Sequence, residues 1–316
     1  MEVVIGTEHC VAPVRGSAVT IGAYDGVHIG HRHLIGVLRA MAAERDLDTV
    51  VVTFDRHPAT VVRPESAPLL LTDLQQKLDL LAAAGVDRTV VVPFDAVRAN
   101  ETAEDFVVEV LVEALGARLV VVGADFHFGH GRKGNVALLT EMGSRHGFEV
   151  VGLGLEADQA GEAVSSTRIR GLLAAGDVGA AARLLGRYHQ VRGIVVHGDG
   201  RGGPELGYPT ANLDVPPEVA LPGEGIYACW YERAGRSVHG AAASVGHRPT
   251  FYANDGALIL EAFLLDFDGD LYGEEARISF VERLGEDRRY PSVDALVAQM
   301  AVDVAVARDV LARSPL

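Results

Sequence analysis

Two histidines three residues apart, His28 and His31, stand in TIGAYDGVHIGHRHLI (Thr20 to Ile35), where an apolar run gives way to helical periodicity. Leu34, Ile35, Leu38 and Met41 would bury one face of the helix that follows. A helix start gathers unpaired N–H groups and partial positive charge, so a phosphate seated there meets backbone donors with two imidazoles in reach. Gly30 would let the backbone come close. Nucleotidyl transfer depends chiefly on stabilising negative charge as the α-phosphorus is attacked, work that imidazole N–H groups suit. The pair therefore points to the phosphate chain of ATP, although H-x-G-H alone equally describes two surface or helix-capping histidines. A second element, VSSTRIRGLL (Val164 to Leu173), sets Ser165, Ser166 and Thr167 ahead of a helix that carries Arg168 and Arg170, so hydroxyls, amides and cations converge. Read alone, it is also an ordinary N-cap beside solvated arginines.

Something must hold these residues in place, and 316 residues with 48% hydrophobic content and mean hydropathy +0.18 supply material for two domains. The net charge of −15 argues against a partner such as nucleic acid or an anionic membrane, where Lys and Arg must neutralise phosphates. It leaves room for single nucleotides. Cys10 and Cys229 have no metal-ligand spacing and read as packing residues. The N-terminus has no basic segment followed by an apolar run, and no stretch of about 18 apolar residues occurs, so a cytoplasmic protein is expected.

Strands are expected over Ala18 to Gly22, Thr49 to Phe54, Thr89 to Phe94, Leu119 to Gly123 and Glu149 to Leu153, with Val runs that suit a parallel sheet covered on both faces. Helices are expected between them over His31 to Arg45, Thr72 to Ala84 with Thr72 as N-cap, Thr102 to Leu115, and Asn135 to His146. This alternation predicts a doubly wound α/β domain, which binds ligands at the carboxyl ends of its strands. Two short helices follow, Arg168 to Ala175 and Val178 to Leu185. Beyond them, from Val191 to about Val281, short strands alternate with Gly, Pro, Asp and Asn turns, the pattern of an antiparallel barrel or sandwich. A last helix from Ser292 to about Ala312 would carry an apolar stripe through Val293, Leu296, Val297, Met300, Val304 and Leu311. The domain boundary is expected near Gly186 to His189, giving domains 1–186 and 187–316. GDGRGG (Gly198 to Gly203) matches a dinucleotide fingerprint, but Pro204 and Pro209 stand where that fold needs a helix, so it reads as a loop over a nucleotide.

Seven motifs in order, GAYDGVHIGH, TFDRHP, VVGADFHFGHGRKGN, SSTRIR, LGYPTANL, GHRPTF and LLDFDGDLYG, resemble the bifunctional prokaryotic riboflavin kinase/FAD synthetases over nearly the whole chain. The resemblance implies a Rossmann-like nucleotidyltransferase domain that joins FMN to the AMP part of ATP, and a small β-barrel kinase with a C-terminal helix that makes FMN from riboflavin. It implies that His28 and His31 contact ATP phosphates, that Gly22, Tyr24 and Asp25 shape the nucleotide pocket, and that Ser165, Thr167 and Arg168 grip the triphosphate. His57, Pro58, Asp125, Phe126 and Phe128 would border the flavin. In the barrel, Thr210 and Asn212 would hold Mg²⁺ and ATP phosphates as hard oxygen ligands, Gly198 would lie over the nucleotide, and Glu261 would take the proton from the ribityl hydroxyl. Glu261 by itself reads as an outward residue of an alternating strand.

The chain departs from the family's pattern at several points. The run Gly203 to Glu205 lengthens a loop and lacks an arginine usual there, Gly285 replaces another, Arg56 stands where proline is common, and His127 replaces a frequent arginine. A lost guanidinium contact is worth about 1.5–3 kcal/mol, and Arg201, Arg283, Arg288 or Arg289 could substitute. The alternatives to two activities are an adenylyltransferase whose barrel binds flavin without turnover, and a non-catalytic flavin-binding regulator. The expected assembly is a monomer or weak homo-oligomer.

Overall fold

The computed structural model describes residues 1–154, 156–158, 161–197, 210–233, 235, 237–247, 258–288 and 290–316, and divides into two compact units, Met1–Ser166 and Thr167–Leu316. The first unit runs β1 (Glu2–Ile5), β2 (Ser17–Ile21), α1 (Ile29–Glu44), β3 (Asp48–Phe54), α2 (Ala59–Val62), α3 (Leu74–Ala83) and β4 (Arg88–Val92). It continues through α4 (Ala96–Asn100), α5 (Ala103–Phe106), β5 (Ala117–Gly123), the two-residue strands β6 (His127–Phe128) and β7 (Gly134–Asn135), α6 (Val136–His146) and β8 (Glu149–Leu153). Six strands form a parallel sheet in the order β1-β4-β3-β2-β5-β8. From β2 the chain moves out through β3 and β4, then returns to lay β5 on the other side of β2. The loops leaving β2 and β5 therefore diverge at the carboxyl edge, where such sheets hold ligands.

Both faces of this sheet are covered, which is why its strands are almost uniformly apolar. Val19, Val50, Val52 and Val120 pack against Phe106, Leu111 and Leu139, while Ala18, Leu119 and Val121 pack on the other face against Leu38 and Ala42 of α1. All five expected strands are present, but the one expected to reach Phe94 stops at Val92, because Pro93 has no N–H to give the ladder. The sixth strand, β1, was not legible: it is four residues long at the sheet edge, with Val3 and Ile5 exposed. Thr72 is not the cap of α3. Asp73 is, its carboxylate accepting the N–H of Gln76 at 2.7 Å, while Thr72 Oγ1 accepts the N–H of Gly26. The helix expected over Thr102 to Leu115 starts as α5 and widens to π turns from Val107 to Ala114.

The second unit takes in α7 (Ser166–Ala174) from Thr167 onward and α8 (Val178–Leu185), then β9 (His189–Val196), β10 (Thr210–Asp214), β11 (Gly225–Arg233), β12 (Val238–His247), β13 (Leu258–Leu264), β14 (Glu275–Gly285) and α9 (Val293–Ala312). The six strands close an antiparallel barrel in the order β10-β13-β12-β11-β14-β9, with β9 pairing back onto β10. The first compact unit ends at Ser166, and α8 buries Val178, Ala181, Leu184 and Leu185 beside β9 and β14. The barrel strands alternate: Leu260, Ala262 and Leu264 of β13 are buried inside, and Glu261 and Phe263 point out. The expected stripe on α9 holds only in part. Ala307, Val310 and Leu311 are buried, whereas Val293 is exposed and Leu296, Met300 and Val304 line a cavity against the barrel.

Candidate active sites

The loop from β2 to α1 is strained: Tyr24, Gly26 and Val27 have φ of 48°, 81° and 39°, and a β-branched residue there is rare. Its neighbours hold it. The Tyr24 hydroxyl lies 2.6 Å from Thr20 Oγ1, and the buried Asp25 carboxylate accepts the N–H groups of Leu71 at 2.8 Å and Thr72 at 3.3 Å. Ser166 Oγ donates to the Asp25 carbonyl at 2.9 Å, so the serine motif is tied to the histidine loop. His28 is the N-cap of α1, its Nδ1 accepting the N–H of His31 at 3.3 Å. That acceptance leaves the proton of a neutral His28 on Nε2. The two imidazoles stack at 3.6 Å with planes 17° apart, and the Tyr24 ring lies 4.9 Å from His31. Gly30 makes the stack possible: a Cβ there would stand 3.3 Å from the His28 ring.

His31 Nδ1 is buried with no hydrogen-bond partner among the described residues. Burial, then the neighbouring His28 and Lys77, push the pKa of His31 well below its usual value. A neutral imidazole with an unsatisfied nitrogen is a group held ready for a polar ligand.

The loop after β3 lies beside the one after β2. The His57 Nδ1 accepts the N–H of Ala59 at 3.1 Å, and Pro58 immediately precedes α2. Asp55 accepts the N–H of Phe94 on one oxygen and the Arg56 guanidinium on the other. A small cleft of about 20 Å³ opens among Ala23, Asp25, Asp55, His57, Thr72 and Lys77. Sequence reasoning missed Lys77, the available signal being a lysine on the buried side of α3 beside Leu74 and Leu81. After β5, Asp125 is exposed, while Phe126 and Phe128 stack at 5.4 Å and pack against the sheet core near Phe106. Ser165 and Ser166 end the first unit, and Thr167 and Arg168 begin the second.

In the barrel, pairing brings the expected residues together. Asn212 is the register partner of Glu261, Glu261 of Ser244, and Ser244 of Ile226, so one row crosses four strands on the outer face. Thr210 lies two residues from Asn212 on the same face, opposite Phe263. The N-terminal half of α9 lies over Ile226, Ser244 and Glu261 of this row and leaves a cavity of about 210 Å³. Its polar side includes Thr210, Ser244, Glu261 and Asp287; its apolar side includes Ile226, Phe263, Leu296 and Met300. Burial, and next the Glu224 carboxylate, hold the Asp287 carboxyl above its usual range. Glu261 is thus outward on its strand yet enclosed by a helix.

Of the cations expected to stand in for the missing arginines, Arg283 donates to the Glu224 carbonyl at 2.7 Å and Arg288 pairs with Glu286 at 3.4 Å. Gly198, Arg201, Gly203 to Glu205 and Arg289 lie outside the described residues. Among the described residues no three His, Cys, Asp or Glu side chains form a group that could hold a metal ion, and no helix is long and apolar enough to cross a membrane.

The FAD synthetase family model matches residues 11–168 and the riboflavin kinase model residues 185–311. The bifunctional riboflavin kinase/FMN adenylyltransferase of Pseudomonas fluorescens is 38% identical over 99% of both chains, and that of Escherichia coli K12 is 37% identical over 94% of both. A crystal structure reported as a macrolide-efflux protein of Streptococcus pneumoniae superposes with a TM-score of 0.85 at 31% identity, over 98% of this chain and 99% of that one. Each unit thus carries one of two domains that occur together, in this order, in relatives aligned along their whole length, and the chain belongs to the bifunctional riboflavin kinase/FMN adenylyltransferase family.

Proposed function

We propose that the two activities run in separate pockets, adenylyl transfer at the histidine stack of the first unit and phosphorylation on the outer wall of the barrel. In the first, an oxygen of the FMN phosphate attacks the α-phosphorus of ATP, the new O–P bond forms, and the bond to pyrophosphate breaks. His28, donating from Nε2, and His31, with its unpaired nitrogen, stabilise the charge that develops on the phosphates. Gly22, Tyr24, Gly30 and Ser165 shape the nucleotide side, and His57, Pro58, Asp125, Phe126 and Phe128 the flavin side.

In the second, Glu261 takes the proton of the ribityl 5′-hydroxyl as that oxygen attacks the γ-phosphorus and ADP leaves. Thr210 and Asn212 offer a hydroxyl and an amide oxygen, the donors Mg²⁺ accepts when the nucleotide's phosphates complete its shell. Bound there, Mg²⁺ would neutralise phosphate charge. The mixed walls of the cavity, apolar at Phe263, Leu296 and Met300 and polar at Ser244 and Glu261, suit a flat ring with a hydrogen-bonding edge.

The observation that carries this reading is the row Asn212, Glu261, Ser244 in one unit and the His28–His31 stack in the other, two polar constellations of different chemistry. We further propose that the protein works in the cytoplasm as a monomer or weak homo-oligomer. Incubating the chain with riboflavin, ATP and Mg²⁺ and separating the flavins tests the central reading. FMN and FAD are expected. FAD formed only from added FMN would reduce the barrel to a flavin-binding module.

A further inference from the structure

The cleft beside the histidine loop holds a cation that none of the recognised motifs contains. Lys77 is 7% exposed on α3, and its ammonium donates to the carbonyls of Phe54 at 2.8 Å and Ala23 at 3.3 Å. Phe54 ends β3 and Ala23 follows β2, so Lys77 bridges the roots of two loops that leave adjacent strands. An ammonium has three protons. Two go to these carbonyls; among the described residues the third meets no protein acceptor, and Lys77 lines the cleft.

The surrounding carboxylates are already engaged. Asp25 accepts the N–H groups of Leu71 and Thr72, and Asp55 accepts Phe94 N–H and Arg56. Lys77 is also near enough to His31 to lower its basicity. Burying a lysine is costly, and tying two carbonyls together needs donors but no charge. The charge therefore has a use of its own.

We infer that Lys77 is a further catalytic residue of adenylyl transfer, its remaining N–H donating to the phosphate monoester of FMN as an oxygen of that phosphate approaches the α-phosphorus of ATP. The inference rests on the reading of this unit as the adenylyltransferase. Lys77 keeps its protons throughout; the bonds that change are those at the α-phosphorus. Bound phosphate and the ammonium stabilise each other, so occupancy of the cleft must raise the affinity of Lys77 for its proton. Burial brings its pKa down to about 8, with Asp25 and Asp55 opposing. The other titratable groups lining the cleft are Arg56 and His57, and His31 lies within electrostatic reach of Lys77.

The test follows FAD formation by the full chain from FMN, ATP and Mg²⁺ between about pH 6.5 and pH 9.5. For the wild type, kcat/KM for FMN should fall about tenfold per pH unit above a pKa near 8, and the limb in kcat should lie at higher pH, since kcat reports the occupied site. Lys77→Arg should remove the limb, because a guanidinium stays charged. Lys77→Met should lower kcat/KM for FMN at about pH 7 by roughly a hundredfold, with KM for ATP changed less than about threefold. A limb that persists in Lys77→Arg, or equal losses for FMN and ATP in Lys77→Met, overturns the inference. If either variant fails to fold, the wild-type profiles decide: coincident limbs in kcat and kcat/KM overturn it. A wild type that makes no FAD would instead remove the underlying activity.

Discussion

Asn212 of β10 and Glu261 of β13 are register partners on the outer face of the barrel, and Glu261 lines the cavity between barrel and α9. A carboxylate next to an amide oxygen and a threonine hydroxyl fits a base beside a metal-bound phosphate. Glu261→Gln preserves volume and removes the base. FMN formation from riboflavin should fall by about 10²–10⁴, while FAD formation from added FMN stays within about twofold of wild type. Chromatographic separation of flavins measures both, and unchanged FMN output would remove Glu261 as the base.

His28 both caps α1 and stacks on His31, and two substitutions separate these roles. Asparagine is a good N-cap, so His28→Asn should melt within about 2 °C of wild type yet lose FAD formation by roughly 10²–10³. His28→Ala should lose the activity and, in addition, about 1 kcal/mol of stability. FMN formation should persist in both. Retained FAD formation in His28→Asn would reduce the residue to a helix cap.

Gly30 offers a test of the stack without touching an imidazole. Alanine favours a helix over glycine by about 1 kcal/mol, so Gly30→Ala should not lower the melting temperature. Its Cβ would lie 3.3 Å from the His28 ring and 3.5 Å from Glu156 Cβ, displacing the imidazole. FAD formation is expected to drop about tenfold. Full activity would show that the stacked geometry is dispensable.

His189 gives the barrel a pH dependence. It is 1% exposed, its Nε2 lies 2.8 Å from the Ala220 carbonyl, and burial lowers its pKa to about 4. The unfolded chain binds this proton below the usual histidine pKa, the folded chain only near pH 4. Stability is therefore present above about pH 6.5 and lost as pH falls toward 4, by roughly 3 kcal/mol in all. Urea midpoints followed through the single tryptophan, Trp230, should show the fall, and His189→Gln should flatten it.

Much of this architecture could be read from residue order. Unbroken Val runs announced a sheet covered on both faces, and the serines of SSTRIR reach the H-x-G-H loop through the bond of Ser166 to the Asp25 carbonyl. What stayed hidden depends on neighbours distant in sequence. Ser244 and Asp287 join Glu261 only through strand pairing and the position of α9. Lys77 was invisible for another reason: on an otherwise apolar helix face its aliphatic stem satisfies the periodicity, and only the carbonyls of Ala23 and Phe54 show where its ammonium goes. The strand β10 was lost to its brevity beside Pro209.

The alternation on β13 reaches beyond the site. Leu260, Ala262 and Leu264 fill the barrel interior, and Glu261 and Phe263 stand on its outside wall. Cohesion and reactivity are written on opposite sides of one ribbon. Conservative exchanges among the inward residues can retune robustness to heat while sparing turnover, and the outer row can acquire new specificity without reopening the question of how the cylinder closes.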